Sequence, residues 1–338
     1  MEDRSSAIGS GVSVSSPGAV AVVIATHNGA SRGYVFNAIE SVLAQSLRPA
    51  EIIVVDDAST DRTAEALSER YRDAVRIVSL SKNRGPSGAR NEGVRATVAP
   101  LVAFLDDDDE WLPEKLDVQR RFIEETSCQL VFSRVELIDS SGRIMKGRRP
   151  VYQEACSWPG ILFRNPVQGP SSVLAYRQTI LAAGGFPEPF RIGEDWILWA
   201  RVAQIGKIAF IEQPLARYRV HDQQAASGRD STWTRERTLE ALRDLADPLT
   251  AAQRALLLNS YAYGGAWRAL ASRNLAATQR LATAATGRVD WPLLIRRGIH
   301  GGIAQLVPSL SESLDRRELK RLVRLFEALG SVGIRQPR

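Results

Sequence analysis

Four apolar runs of strand length punctuate the first third of the chain: "VAVVIA" (20–25), "EIIVVDD" (51–57), "AVRIVSL" (74–80) and "LVAFLD" (101–106). None alternates apolar with polar, so each suits a strand buried on both faces, as in a parallel sheet. Between the runs, apolar positions recur with helical spacing. "VFNAIESVLAQS" places Phe36, Ile39, Val42 and Leu43 on one face. "STDRTAEALSERY" opens on Ser59-x-x-Arg62, an imperfect capping box, with Thr60 and Asp61 also favouring a helix start. "SGARNEGVRATV" supplies a third crossover. Strand and helix alternate throughout, which predicts an α/β fold with a doubly wound, mostly parallel sheet and ligands at the carboxyl ends of its strands.

After Asp109 the pattern is less regular. It predicts a helix over 113–125 with Pro113 in its first turn, a strand over 128–137, another over 170–177 followed by a short helix, and a helix over 194–206 stopped by Gly206. "PLARYRV" (214–220) is strand-like. From about Asp230 onward the chain reads as nearly all helix. Thr250-x-x-Gln253 and Asp315-x-x-Glu318 resemble capping boxes, and Leu319, Leu322, Val323, Phe326 and Leu329 form a stripe that Gly330 ends. The expected organisation is a disordered Ser/Gly-rich segment over 1–18, an α/β domain over 19–225 and a C-terminal helical region over 226–338.

Charge sharpens this division. The net charge is +6, yet residues 225–338 alone hold 18 Lys+Arg against 10 Asp+Glu. A basic tail suits anionic lipid headgroups or an acidic partner, and it also suits a solvated helix surface. "WPLLIRRGIHGGIAQLV" (291–307) mixes Arg with apolar residues, so peripheral contact with the inner membrane face is expected; packing on the α/β domain or a homodimer is the alternative. No nucleic-acid partner is expected. No stretch approaches the roughly 18–20 apolar residues of a membrane span. The first residues lack the basic start and apolar core of a signal peptide. Cys128 and Cys156 match no zinc spacing and are too few for a disulfide framework, which points to a cytoplasmic chain with reduced thiols.

The candidate chemistry lies where the strands end. "LVAFLDDDDEW" closes an apolar run with Asp106, Asp107, Asp108 and Asp109, whose mutual repulsion a cation would relieve. Extended backbone would send alternate carboxylates, Asp106 and Asp108, to one side, a hard oxygen set suited to Mg²⁺ or Mn²⁺. Asp56 and Asp57 end the second strand; one can contact a base or ribose while the other caps the next helix. Thr26, His27 and Asn28 follow the first strand, where the ring and amide can face a nucleobase. Arg90 can meet a phosphate or base carbonyl, or pair with Asp57. Glu194 and Asp195 open a helix after a Gly- and Pro-rich loop, and His221 can complete a metal site.

Five stretches in order, "VVIATHNGA", "AIESVLAQSLRPAEIIVVDDASTDRT", "NRGPSGARNEG", "FLDDDDEWLPEKL" and "GGFPEPFRIGEDWILWARV", resemble family 2 glycosyltransferases with the GT-A fold, over roughly Val20 to His221. The resemblance implies inverting sugar transfer from a nucleoside diphosphate donor, UDP-type first, to an acceptor hydroxyl, possibly lipid-linked, in cell-surface polysaccharide or glycolipid synthesis. It implies that Thr26, His27, Asn28, Asp57 and Arg90 line the donor side and that Asp106 and Asp107 touch the ribose and the metal's waters. Asp108 would ligate Mn²⁺ or Mg²⁺, with Asp106 and His221 nearby; Asp195 would be the general base and Glu194 a supporting acid. His27 stands where the family commonly has Tyr. A nucleotidyltransferase, or a non-catalytic nucleotide-sugar-binding relative, is the competing reading. The first lacks a Gly-rich, basic triphosphate loop after the first strand.

Overall fold

The structure is a computed structural model that describes residues 14–222 apart from 148–150, 152, 164, 189, 191 and 192, together with 241, 244 and 245. Most of the predicted N-terminal segment, and all but three residues of the predicted helical region with its capping boxes and apolar stripe, lie outside the described residues. In chain order the elements begin with β1 (Val20–Thr26), α1 (Gly29–Arg32), α2 (Tyr34–Leu43), β2 (Glu51–Asp56), α3 (Thr63–Tyr71), β3 (Arg76–Ser79), α4 (Gly85–Ala96) and β4 (Leu101–Asp106). They continue with β5 (Glu110–Trp111), α5 (Lys115–Thr126), β6 (Leu130–Ile138), α6 (Gly160–Phe163), β7 (Val173–Tyr176), α7 (Arg177–Ala182), α8 (Glu194–Ile205) and β8 (Ile208–Arg219).

The strands form one sheet in the order β3-β2-β1-β4-β7-β6-β8-β5. β3, β2, β1 and β4 are mutually parallel, as their unbroken apolar runs predict. β7 runs antiparallel to β4 and β6, β6 pairs parallel with β8, and the short β5 closes the edge antiparallel to β8. Val22, Val23, Ile24, Ile53, Val54, Val102, Ala103 and Phe104 are fully buried. Burial of each such valine, isoleucine or phenylalanine contributes about 1.5–3 kcal/mol, which fixes the sheet centre.

Several predicted boundaries shift for physical reasons. The run at 74–80 yields strand only over Arg76–Ser79, with both ends exposed and Ile77 and Val78 half-buried, because β3 is an edge strand with one neighbour. On α2 the buried face comprises Val35, Ala38, Ile39 and Val42, whereas Leu43 is exposed. Ser59 does not cap α3; its hydroxyl is taken by Asp56, and α3 starts at Thr63 after a left-handed Arg62. Pro113 precedes α5, and residues 170–172 form a tight turn ahead of β7.

One packing detail positions the site. A Cβ at Gly93 of α4 would lie 2.3 Å from Val23 Cγ1 of β1. The missing side chain lets α4 settle on the sheet, and Arg90, one turn earlier on the same helix face, is buried with it.

Candidate active site

The parallel strands end nearly flush: Thr26 pairs with Asp56, and Ala25 with Asp106. Just beyond, the aspartate run folds into a β-turn, with the Asp109 N–H bonded to the Asp106 carbonyl at 3.1 Å. Asp107 and Asp108 occupy its tip, so the strand alternation from which Asp106 and Asp108 were expected to share a side ends at Asp106. Each carboxylate has its own partner. Asp106 receives Arg90 at 2.5 Å. Asp107 receives the Thr26 hydroxyl at 2.6 Å and Arg32 at 2.8 Å. Asp108 meets His221 Nε2 at 2.9 Å. Asp109, 1% exposed, accepts the Ser171 hydroxyl at 2.6 Å and the Arg219 N–H at 2.9 Å. These partners offset the mutual repulsion only in part. Burial still pushes Asp107 up to about 6 against the pull of Arg32, and burial and the neighbouring Asp106 charge raise Asp108.

Arg90 joins two parts of the site. It does not pair with Asp57: its guanidinium bonds Asp106 on one side and Glu194 Oε1, at 3.2 Å, on the other. Burial opposes its charge, but Asp106 and Glu194 outweigh that and hold its pKa above the ordinary arginine value. Burial, then the neighbouring Asp195 charge, push Glu194 up to about 7. Asp195 follows in the first turn of α8, where Trp196 N–H and Asn165 Nδ2 donate to it at 2.7 and 3.4 Å. Burial raises its pKa in spite of those donors. The Ser87 hydroxyl and Arg90 Nε, both on α4, are buried without a hydrogen-bond partner.

On the other flank, Asp57 accepts the N–H groups of Arg84 and Gly85, both at 2.7 Å, so its carboxylate braces the start of α4. Asp56, not Asp57, closes the turn after β2 through the N–H of Ser59 at 3.1 Å. His27 is exposed, with Nδ1 2.8 Å from the Asp57 carbonyl. Asn28 sits in the left-handed region (φ 53°), which Asn tolerates, and its Oδ1 accepts the Thr60 N–H at 2.8 Å. Thr26 is buried, its hydroxyl turned onto Asp107. Of the donor-side residues expected from the sequence, His27 is exposed and Asn28 half-buried, whereas Thr26, Asp57 and Arg90 are buried.

Sequence reasoning passed over Arg219. It is 1% exposed, donates to the Asp108 carbonyl at 2.8 Å and the Asp139 carbonyl at 3.2 Å, and pairs with Glu110. Its spacing of two from His221 on a strand-like segment was the available signal. Arg32, Ser171 and Lys115 were missed as well.

Among the described residues no group of three or more His, Cys, Asp or Glu side chains is arranged to hold a metal. The expected set of Asp106, Asp108 and His221 is therefore not assembled, because Asp106 is turned to Arg90. Asp108 and His221 do meet at 2.9 Å, and a carboxylate oxygen beside an imidazole nitrogen is a donor pair that would suit a divalent ion such as Mn²⁺ or Mg²⁺.

The Glycosyl transferase family 2 profile matches residues 21–180. A putative teichuronic acid biosynthesis glycosyltransferase, TuaG of Bacillus subtilis, is 30% identical over 236 residues, covering 66% of this chain and 89% of that protein. This chain belongs to glycosyl transferase family 2. The succinoglycan biosynthesis protein ExoO of Rhizobium meliloti is 31% identical over 227 residues, covering 62% of each chain. An uncharacterized glycosyltransferase of Rickettsia felis is 30% identical over 60% of this chain, which spans only 33% of that longer relative. The crystal structure of S. aureus TarS 1-349 in complex with UDP-GlcNAc superposes with a TM-score of 0.62 at 19% identity, covering 80% of this chain and 83% of that one. The family sheet, mostly parallel at one end and mixed at the other, is the GT-A arrangement expected from the motifs. No helix among the described residues is long and apolar enough to cross a membrane.

Proposed function

We propose that this chain transfers a glycosyl group, with inversion, from a nucleoside diphosphate sugar to an acceptor hydroxyl in the assembly of a cell-surface polysaccharide. The observation that carries the reading is the Asp106–Arg90–Glu194 bridge, which ties the aspartate turn to the start of α8, where Asp195 lies. Relatives named for succinoglycan and teichuronic acid synthesis support the polymer class, and the TarS structures with UDP-GlcNAc and UDP support a UDP-type donor.

The donor lies along the ends of β1, β2 and β4, with His27 and Asn28 at the base and the α4 start beside it. Asp195, made more basic by burial, accepts the proton of the acceptor hydroxyl. The acceptor oxygen bonds to the anomeric carbon from the face opposite the diphosphate, and the bond from that carbon to the phosphate oxygen breaks. Glu194, held by Arg90, keeps the helix start in register. Asp108 and His221 would hold Mn²⁺ or Mg²⁺, which supplies charge neutralisation for the departing diphosphate.

Asp195→Asn tests the assignment. Transfer should fall about 10²–10⁴-fold while UDP binding, followed by calorimetry, is retained. Turnover equal to wild type would remove Asp195 as the base. Pyrophosphate release from a nucleoside triphosphate and a sugar phosphate would replace the reading with nucleotidyl transfer.

A further inference from the structure

The turn that carries Asp107 and Asp108 is locked from outside the site. The Ser171 hydroxyl accepts the Asp106 N–H at 3.0 Å and donates to Asp109 Oδ2 at 2.6 Å, so one oxygen closes both ends of the turn. Ser171 lies in the tight turn over Pro170–Ser172. Consecutive carbonyls there are each engaged by a side chain from 111–119. Trp111 Nε1 donates to the Ser171 carbonyl at 2.8 Å, Gln119 Nε2 to the Ser172 carbonyl at 2.7 Å and Lys115 Nζ to the Val173 carbonyl at 3.4 Å. Lys115 also donates to Gln119 Oε1 at 2.6 Å and lies 4.1 Å from the centre of the Trp111 ring, which joins the three side chains to one another.

Lys115 and Gln119 are both 0% exposed. An ammonium removed from water is costly, and burial drives its pKa well down. A methionine of similar length would fill the same volume without that cost. The polar choice matches what the chain needs at this point: three donors at fixed spacing for three successive carbonyls.

We propose that Lys115, Gln119 and Trp111 form a positioning clamp that sets the 171–173 segment so that the Ser171 hydroxyl can lock the aspartate turn and present Asp108 to its cation. The clamp touches neither donor nor acceptor. It acts through Ser171, and it rests on Asp108 and His221 being the metal-holding pair.

The test measures Mn²⁺ affinity in the presence of UDP, from the electron paramagnetic resonance signal of unbound Mn²⁺, together with the thermal midpoint. Ser171→Ala and Lys115→Met should each weaken Mn²⁺ binding about 10–100-fold, the usual scale for groups that orient a metal ligand. Their double variant should be no weaker than Ser171→Ala alone, since the clamp works through that hydroxyl. A purely structural role predicts a lower midpoint, unchanged Mn²⁺ affinity in the folded protein, and additive effects; that result overturns the proposal. If Lys115→Met does not fold, Gln119→Met with Ser171→Ala runs the same cycle. Absence of Mn²⁺ binding in the wild-type protein with UDP would instead refute the metal reading on which the clamp depends.

Discussion

The two halves of the sheet secure their polar groups over different distances along the chain. In the parallel half several partners lie about one strand–helix unit apart. Asp57 holds the N–H groups of Arg84 and Gly85, and Asn28 holds that of Thr60, across 27, 28 and 32 residues. In the mixed half the partners span 60 residues for Trp111 with Ser171 and 110 for Asp109 with Arg219. The first kind of contact forms once neighbouring strands pair. The second needs the whole domain closed. The loops after β1 and β2 are therefore braced in part locally, although Thr26 reaches Asp107 across 81 residues and Arg90 reaches Glu194 across 104, whereas the Asp109 end of the aspartate turn is held by distant elements.

Arg219→Met puts the largest strain on this contrast. It removes the donors to the Asp108 and Asp139 carbonyls and leaves Glu110 without that guanidinium, so about 3–5 kcal/mol of stability should be lost. Arg84→Met, at the start of α4, breaks pairs with Glu92 and with Glu188, the latter 104 residues away; their side chains are partly exposed, so the loss should be about 0–1 kcal/mol. Urea midpoints measure both. Equal losses would dissolve the distinction between the halves.

Gly93→Ala probes the parallel half at a tight contact between α4 and β1. The added methyl meets Val23 Cγ1, and overpacking of this kind costs about 1–3 kcal/mol. Arg90, one turn away, should be lifted from Asp106, so the transfer rate should fall along with the urea midpoint. A drop in midpoint without a drop in rate would separate α4 packing from the site.

The same contrast explains what the sequence could reveal. β1, β2 and β4 were legible because an unbroken apolar run has few readings other than a strand buried on both faces. Thr26, Asp57 and Asp106 follow at once from where those strands end. β3 was overextended because an edge strand needs less burial than its residues offer. The partners of the aspartates were not legible: nothing local tells Asp109 that it will accept the N–H of Arg219, or Asp106 that it will meet the Arg90 guanidinium. Lys115 was hidden for the same reason, since a lysine in a helix ordinarily faces water. The motifs supplied the site's members, and only the fold supplied its pairings.

The smallest effect is expected at Asn165, which donates to Asp195 Oδ2 across 3.4 Å. That bond favours the charged carboxylate, so it lowers a pKa that burial has raised. Asn165→Ala removes the lowering contribution. The Asp195 pKa should rise further, and the base should remain protonated to a higher pH. In a plot of log kcat/KM against pH, the acid limb should therefore move upward, with the plateau above it nearly unchanged. At 3.4 Å the bond is weak, so the displacement should be less than about one pH unit, equivalent to at most about 1.4 kcal/mol. A downward move would mean that Asn165 favours the protonated form. An unmoved limb, with Asp195→Asn still inactive, would assign the limb to another group, with Glu194, pushed up to about 7, the first to replace by glutamine.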